Sequence, residues 1–351
     1  MRHPHLCWSE TGMKKILAVL VSVILGVPLL TGIAYGIYFA ATYPRYSYDY
    51  RKLPARFEEF YALKQARSRD LGARPGNEER LVRHAPGKTP LAFLYLHGFS
   101  GSRIDGEDCV DSVAARYGAN AYYLRFPGHG TNKEDQASRS FDEYLDEAAD
   151  ALRMMRLLGD KTIVVGTSMG GLVATYLAAA FPDLVDGAVL CSPFYEYVDP
   201  LFKWFEIPGG RYVVEREKGP INYPKTKPPA TGWSTHFYAE KYYSSYVSLS
   251  DLKRCASRDE LFRRIRAPVL LLYYYKDEQN QDVYASVPAM LAAFELFGLD
   301  SGRSPLTRKL RVENGSHAML SVWQIPDRPL VEQAIVDFAG EVAAARSPGR
   351  E

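Results

Sequence analysis

The stretch that decides the fold is Thr162-Ile163-Val164-Val165-Gly166-Thr167-Ser168-Met169-Gly170-Gly171. Four residues rich in β-branched side chains read as a buried strand. The run after Ser168, Met169–Ala180, has the length and composition of a helix. Gly166-x-Ser168-x-Gly170 therefore falls on a strand-to-helix turn, where flanking glycines remove side chains that would clash and leave the Ser168 hydroxyl above the strand end. Working outward, apolar runs alternate with amphipathic segments. Strands are predicted at Leu91–Leu96, Ala119–Arg125, Thr162–Val165, Gly187–Cys191, Val269–Tyr275 and Lys309–Val312. Helices are predicted at Gly106–Arg116, Phe141–Leu158, Met169–Ala180, Val287–Phe297 and Leu330–Ala345. This alternation implies an α/β protein, a mostly parallel sheet with helices on both faces, whose chemistry belongs at the carboxyl ends of the strands.

A serine hydroxyl near neutral pH needs a base, and the base needs an orienting group. Of seven histidines, His3 and His5 lie at the extreme N-terminus, His84 precedes the sheet core and His236 sits in a Tyr-rich insertion. His97 and His129 belong to the turns His97-Gly98 and Gly128-His129-Gly130, and both read as loop architecture. His317, in Glu313-Asn314-Gly315-Ser316-His317, leaves the last strand and is the expected base. The acid should follow the strand Val269–Tyr275. Asp277 is nearest that strand end and is the expected acid, ahead of Asp282, with Glu278 a solvated loop charge. The chain order Ser, Asp, His suits a parallel-sheet hydrolase. Two backbone N–H groups should stabilise the developing oxyanion, those of Met169 and Phe99, the latter in the loop after Leu91–Leu96.

Together, Leu96-His97-Gly98-Phe99, Arg125-Phe126-Pro127-Gly128-His129-Gly130, Gly166–Gly171 and the Asp277 and His317 loops resemble the α/β-hydrolase superfamily, specifically its serine aminopeptidase (S33) and monoacylglycerol lipase/lysophospholipase-like branch. The resemblance runs from about Asn77 to the C-terminus. It implies Ser168 as nucleophile, Asp277 as acid, His317 as base, and Phe99 and Met169 as oxyanion donors. The strand before the acid ends Tyr273-Tyr274-Tyr275-Lys276-Asp277, where relatives often carry a glycine. In that family the insertion between Cys191 and the Val269 strand forms a cap. Here residues 194–246 hold 14 aromatics in 53 residues, about twice the whole-chain share of 13%. Most of these should pack the cap onto the core, and the remainder should line an acyl pocket.

The N-terminus has a different character. No charged residue occurs from Ile16 to Pro44, and a helix over Ile16–Tyr43 exceeds the roughly 30 Å hydrocarbon core of a bilayer. The expected organisation is a short N-terminal segment (1–15), a single-pass signal anchor (16–43), a connector with a lead-in helix (44–87), a hydrolase core (88–193 and 258–351) and a cap (194–257). Lys14-Lys15 before the span and Arg45, Arg51, Lys52 and Arg56 after it do not choose a side by charge. The outer or periplasmic side is the expectation for the catalytic domain, and Met13 is an alternative start to Met1.

With 43 Lys+Arg against 41 Asp+Glu, the chain offers no large field for nucleic acid. Its Cys and His spacing suits no zinc site, and neither a metal, a cofactor nor an obligate protein partner is expected. The expected activity is hydrolysis of carboxylic esters of lipid-like substrates through an acyl-enzyme on Ser168. An S33-type aminopeptidase or amidase using the same three residues is the alternative. A non-catalytic membrane-tethered protein of the same fold is the third reading.

Overall fold

The computed structural model describes residues 10–224, 236–321 and 326–345, in two units divided after Tyr43. His3, His5, Cys7, Pro228, Pro229 and Trp233 lie outside the described residues. The first unit is α1, Glu10–Ala41, with Pro28 inside it. From Met13 it is long and apolar enough to cross a membrane, alone in this among the described residues.

The second unit begins with α2 (Phe57–Asp70) and strands β1 (Arg80–Val82), β2 (Thr89–Leu96) and β3 (Asn120–Tyr123), with α3 (Glu107–Arg116) between β2 and β3. Next come α4 (Lys133–Ala137), α5 (Phe141–Met155), β4 (Gly159–Thr167), α6 (Met169–Ala180) and β5 (Gly187–Cys191). An insertion follows, with a 3-10 segment at Pro200–Glu206, α7 (Gly210–Lys218), a two-residue ladder of β6 (Ile221–Asn222) with β7 (Lys241–Tyr242), and α8 (Ser245–Ala256). The chain closes with α9 (Asp259–Arg263), β8 (Val269–Tyr274), α10 (Val287–Leu296), β9 (Arg308–Val312) and α11 (Arg328–Ala344).

The sheet order is β1-β3-β2-β4-β5-β8-β9. All pairings in it are parallel except β1 with β3. Side chains alternate between its faces as the pleat requires. Ala92, Leu94 and Leu96 of β2 join Val164 and Leu190 in one core layer with α5 and α6. Leu91, Phe93 and Tyr95 join Ile163, Val165 and Val189 in the other, under α3 and α11. Because both faces are covered, the central strands are apolar at nearly every position. The chain leaves β2 for β3 on one side and reaches β4 on the other. The crevice between β2 and β4 is thus the topological switch point, where such sheets place their sites.

The six strands read from sequence are all present, and the seventh, β1, escaped notice. Three intermediate residues in an antiparallel edge carry no alternation long enough to read. The segment from residue 44 does more than connect. The Tyr46 hydroxyl donates to Asp146 at 2.7 Å and that of Tyr48 to Asp150 at 2.6 Å, while Arg51 bonds Asp150 at 2.8 Å, so the chain is fastened to α5 before α2 begins.

Candidate active site

Ser168 sits between β4 and α6 with φ 54° and ψ −116°, a left-handed conformation that costs a non-glycine residue of order 1–3 kcal/mol and persists only where the surroundings enforce it. They do so here through packing and hydrogen bonds. A Cβ on Gly170 would lie 2.0 Å from the Leu96 carbonyl oxygen, and one on Gly166 would lie 2.3 Å from that of Gly170. The turn thus closes at a distance only glycine allows. The Ser168 N–H donates to the Cys191 carbonyl at 2.9 Å, and the Ser168 carbonyl accepts from Phe194 and Leu172, both at 3.0 Å. As the first residue of α6, Met169 has an N–H with no acceptor within the helix.

The loop after β2 approaches from the other side of the crevice. A Cβ on Gly98 would meet the Cβ of Ser168 at 3.4 Å, which sets the Phe99 backbone close to the serine. Among the described residues the Phe99 N–H has no hydrogen-bond acceptor. Buried His97 braces this loop as expected. Its Nδ1 bonds the Gly98 carbonyl at 2.8 Å and its Nε2 accepts from the Phe126 N–H at 3.1 Å. Burial, with His129 and Arg125 nearby, pushes its pKa well below the ordinary value and keeps it neutral.

A second brace went unseen in the sequence. His129, held near a pKa of about 4 by burial, bonds Gln136 at 3.2 Å, and Gln136 bonds the Ser100 hydroxyl at 3.0 Å. Ser100 itself has φ 64°. Gln136 lies on the five-residue α4, too short for an apolar period to reveal it.

Asp105 forms the far end of the same loop. Its carboxylate accepts from the Ser102 N–H at 3.3 Å and packs so tightly on Gly101 that a Cβ there would lie 2.0 Å from Oδ2. Burial raises its pKa to about 7, against the lowering effects of the Ser102 hydrogen bond and the charge of His317.

The carboxylate paired with His317 is not the expected Asp277. His317 Nδ1 bonds Asp282 Oδ2 at 2.7 Å, and Asp277 makes no contact with His317. The reason is a small hairpin. After β8 the chain turns at 276–280, Tyr275 bridges Gln281, and the Asp282 N–H returns to the Tyr274 carbonyl at 3.2 Å. The residue nearer in sequence is carried out into a surface turn, and the one five positions later is carried back over the strand end. Asp277 is occupied in that turn, accepting from Asn280 N–H and Nδ2 at 2.8 Å each and from Gln279 at 3.0 Å. Asp282 is buried, with its other oxygen accepting from Tyr284 and Ala285 at 2.9 and 3.0 Å. Burial alone would raise its pKa. The charge and hydrogen bond of His317 and the two N–H groups outweigh that and hold it below the ordinary carboxylate range.

With Nδ1 committed to Asp282, His317 presents Nε2 as a proton acceptor. The Ser168 hydroxyl makes no hydrogen bond among the described residues, and this last contact often tightens only when substrate is present.

The insertion closes over these loops through aromatic contacts. Tyr246 of α8 packs on Phe99 at 5.4 Å and on Phe202 at 4.7 Å, and Phe205 stacks on Tyr243 at 5.8 Å. The Tyr238 N–H donates to the Ser100 carbonyl at 3.0 Å. Much of the aromatic excess therefore serves packing.

A mostly parallel sheet with a strained serine at one strand end and an Asp–His pair beyond two others has the architecture of an α/β-hydrolase fold. The model of the alpha/beta hydrolase family matches residues 93–332, about two thirds of the chain, and the chain belongs to that family. A thermostable monoacylglycerol lipase of Bacillus sp. (strain H-257) is 28% identical over 95 residues, 27% of this chain and 38% of that enzyme. The chain spans no more than about two fifths of the length of the curated relatives it matches. Among solved structures, one from a study of two metagenome-derived lipolytic enzymes, LipS and LipT, superposes with a TM-score of 0.61 at 18% identity, covering 76% of this chain and 98% of the other. The monoacylglycerol lipase of Paleococcus ferrophilus gives 0.55 at 15% identity, covering 75% and 98%.

Proposed function

We propose that this protein is a membrane-anchored serine hydrolase that cleaves carboxylic esters of lipid-like substrates. The observation that carries this reading is the Asp282–His317 pair, whose loops leave the carboxyl ends of β8 and β9 in the same sheet as the Ser168 turn. In the proposed reaction His317 Nε2 takes the Ser168 proton as Oγ attacks the ester carbonyl carbon. Asp282 stabilises the imidazolium that forms and fixes its tautomer. The tetrahedral oxyanion accepts hydrogen bonds from Phe99 and Met169. Collapse breaks the ester C–O bond, and His317 returns the proton to the departing alkoxide. Water then attacks the acyl group on Ser168 by the same route and releases the acid.

Lipid-like substrates are supported by the aromatic insertion and by α1, which serves as the anchor in this reading. The monoacylglycerol lipase relatives point the same way. An aminopeptidase of the same family would need spare carboxylates in the insertion for the substrate's free amine. Glu196 and Glu206 are both bonded to Lys253, at 2.9 and 2.7 Å, Glu215 pairs with Arg211, and Glu240 pairs with Lys133. Glu217, exposed on α7, is the one glutamate of the insertion without a partner among the described residues, and the engagement of the other four favours the esterase.

The test is a panel of long-chain esters and aminoacyl amides with the detergent-solubilised protein, alongside a fluorophosphonate label. Ester turnover with labelling at Ser168 is the expected outcome. Amide turnover without ester turnover would overturn the ester reading, and no labelling would overturn the serine mechanism.

A further inference from the structure

The insertion holds a mostly buried lysine that has no counter-ion among the described residues. Lys241, on β7, is 9% exposed, and among the described residues it has neither a hydrogen-bond acceptor nor an ion-pair partner. Its recorded neighbour is the Phe237 ring, 4.3 Å from Nζ. The surrounding carboxylates are directed elsewhere. Glu240 bonds Lys133 at 3.1 Å, Glu134 accepts from the Tyr242 hydroxyl at 3.3 Å, and Asp135 pairs with Arg139. Neither described flank of this part of the insertion, 219–224 or 236–239, contains an Asp or Glu. Most of the side chain is withdrawn from water while Nζ keeps a little exposure, as a group open to a ligand must. Burial pushes the pKa of Lys241 down to about 8, which leaves it mostly protonated at neutral pH.

Its position ties it to the reaction site. Lys241 pairs in register with Asn222, so the two side chains share one face of the ladder. Asn222 Nδ2 donates to the Tyr246 hydroxyl at 2.9 Å, and the Tyr246 ring rests on Phe99. On the other side, Phe237 precedes Tyr238, whose N–H is bonded to Ser100. Two short routes thus join Lys241 to the loop that carries the Phe99 N–H.

We propose that Lys241 anchors an anionic group, a carboxylate or a phosphate, carried by the ester substrate away from its scissile bond. This rests on the ester-hydrolase reading above. The substrate supplies the missing counter-charge, and a lysine suits either oxyanion as a compact point charge. The preferred substrates are then acidic esters such as acylglycerol phosphates or half-esters of dicarboxylic acids, ahead of neutral acylglycerols.

The experiment measures kcat/KM of the full-length protein in neutral detergent for two matched pairs. One pair is a 1-acylglycerol and its 3-phosphate, and the other is the p-nitrophenyl ester of a monocarboxylic acid and the half-ester of the dicarboxylic acid of equal length. The wild type should favour the anionic member of at least one pair about ten- to a hundredfold, the range of a charge-assisted hydrogen bond. Which pair shows the preference separates phosphate from carboxylate. In Lys241→Gln the ratio should collapse toward one through KM, and Lys241→Arg should restore most of it. Should Lys241→Gln fail to fold, the wild-type preference should still fade between pH 7 and 9.5 as the ammonium loses its proton. A wild type indifferent to charge in both pairs, or a preference unchanged in Lys241→Gln, would overturn the proposal while leaving neutral ester turnover to support the hydrolase reading. Absence of turnover on every ester would sink the hydrolase reading itself.

Discussion

The Ser168 turn and the hairpin at 275–282 both sit at carboxyl ends of strands in one sheet, β4 and β8 with β5 between them, yet they are built on opposite principles. The turn is local. Its strand, its glycines, its serine and its helix follow one another without interruption, and the two glycines are demanded by atoms only 2.0–2.3 Å from where a Cβ would stand. The hairpin is non-local in effect, because a reversal of the chain decides which carboxylate faces His317. Position in sequence therefore points to Ser168 and points away from the carboxylate that pairs with His317.

The sharpest way to break this comparison is to remove its fixed point. Ser168→Ala should reduce ester turnover by roughly 10⁴–10⁶-fold and abolish fluorophosphonate labelling, read by gel and by initial rates. Asp282→Asn should follow at about 10⁴-fold in kcat, since the imidazolium loses its stabiliser and His317 its tautomer. A stopped assay on the same ester checks it.

Gly170→Ala tests the local side of the contrast. A methyl group 2.0 Å from the Leu96 carbonyl oxygen must displace backbone, and a loss of about 3 kcal/mol or more is expected in denaturant titration, or no folded protein at all.

Asp105 gives a gentler effect with a definite sign. Its folded pKa of about 7 lies above the ordinary value of an aspartate, so the native state holds its proton more tightly than the unfolded chain. Its contribution to stability is fully present below about pH 4 and is lost as pH rises through 7. Asp105→Asn should flatten the fall in stability between pH 5 and 8, measured by urea unfolding across that range. Asp277→Asn should do least, with turnover staying within about twofold of wild type. A large loss there would return the acid to the residue nearest the strand.

What could be read from sequence follows the same division. The β4–Ser168–α6 unit and strands β2, β5 and β8 are legible because burial on both faces writes apolar runs, whereas edge strand β9 shows only Leu310 and Val312 among charged residues. His317 is singled out in sequence by elimination and by its place after the final strand. Asp282 stands out less than Asp277 in sequence, because no residue between 275 and 282 states that the chain doubles back. The nearest hint is Asp277 with Asn280 three positions on, a pair that favours an Asx turn and so consumes the carboxylate locally. Gln136 and β1 were missed for want of length. Lys241 carries no sequence signal at all, since its lack of a partner emerges only when the surrounding carboxylates are seen to be engaged.

The fastening of Tyr46, Tyr48 and Arg51 to α5 has a practical consequence. These bonds begin three residues after the N-terminal unit ends at Tyr43, so cleavage of the chain at residues 43–45 would remove none of them. A protein expressed from Pro44 should therefore be a water-soluble enzyme with its hydrogen bonds to α5 intact, and a protease acting at that point would shed an active domain and leave no damaged remnant.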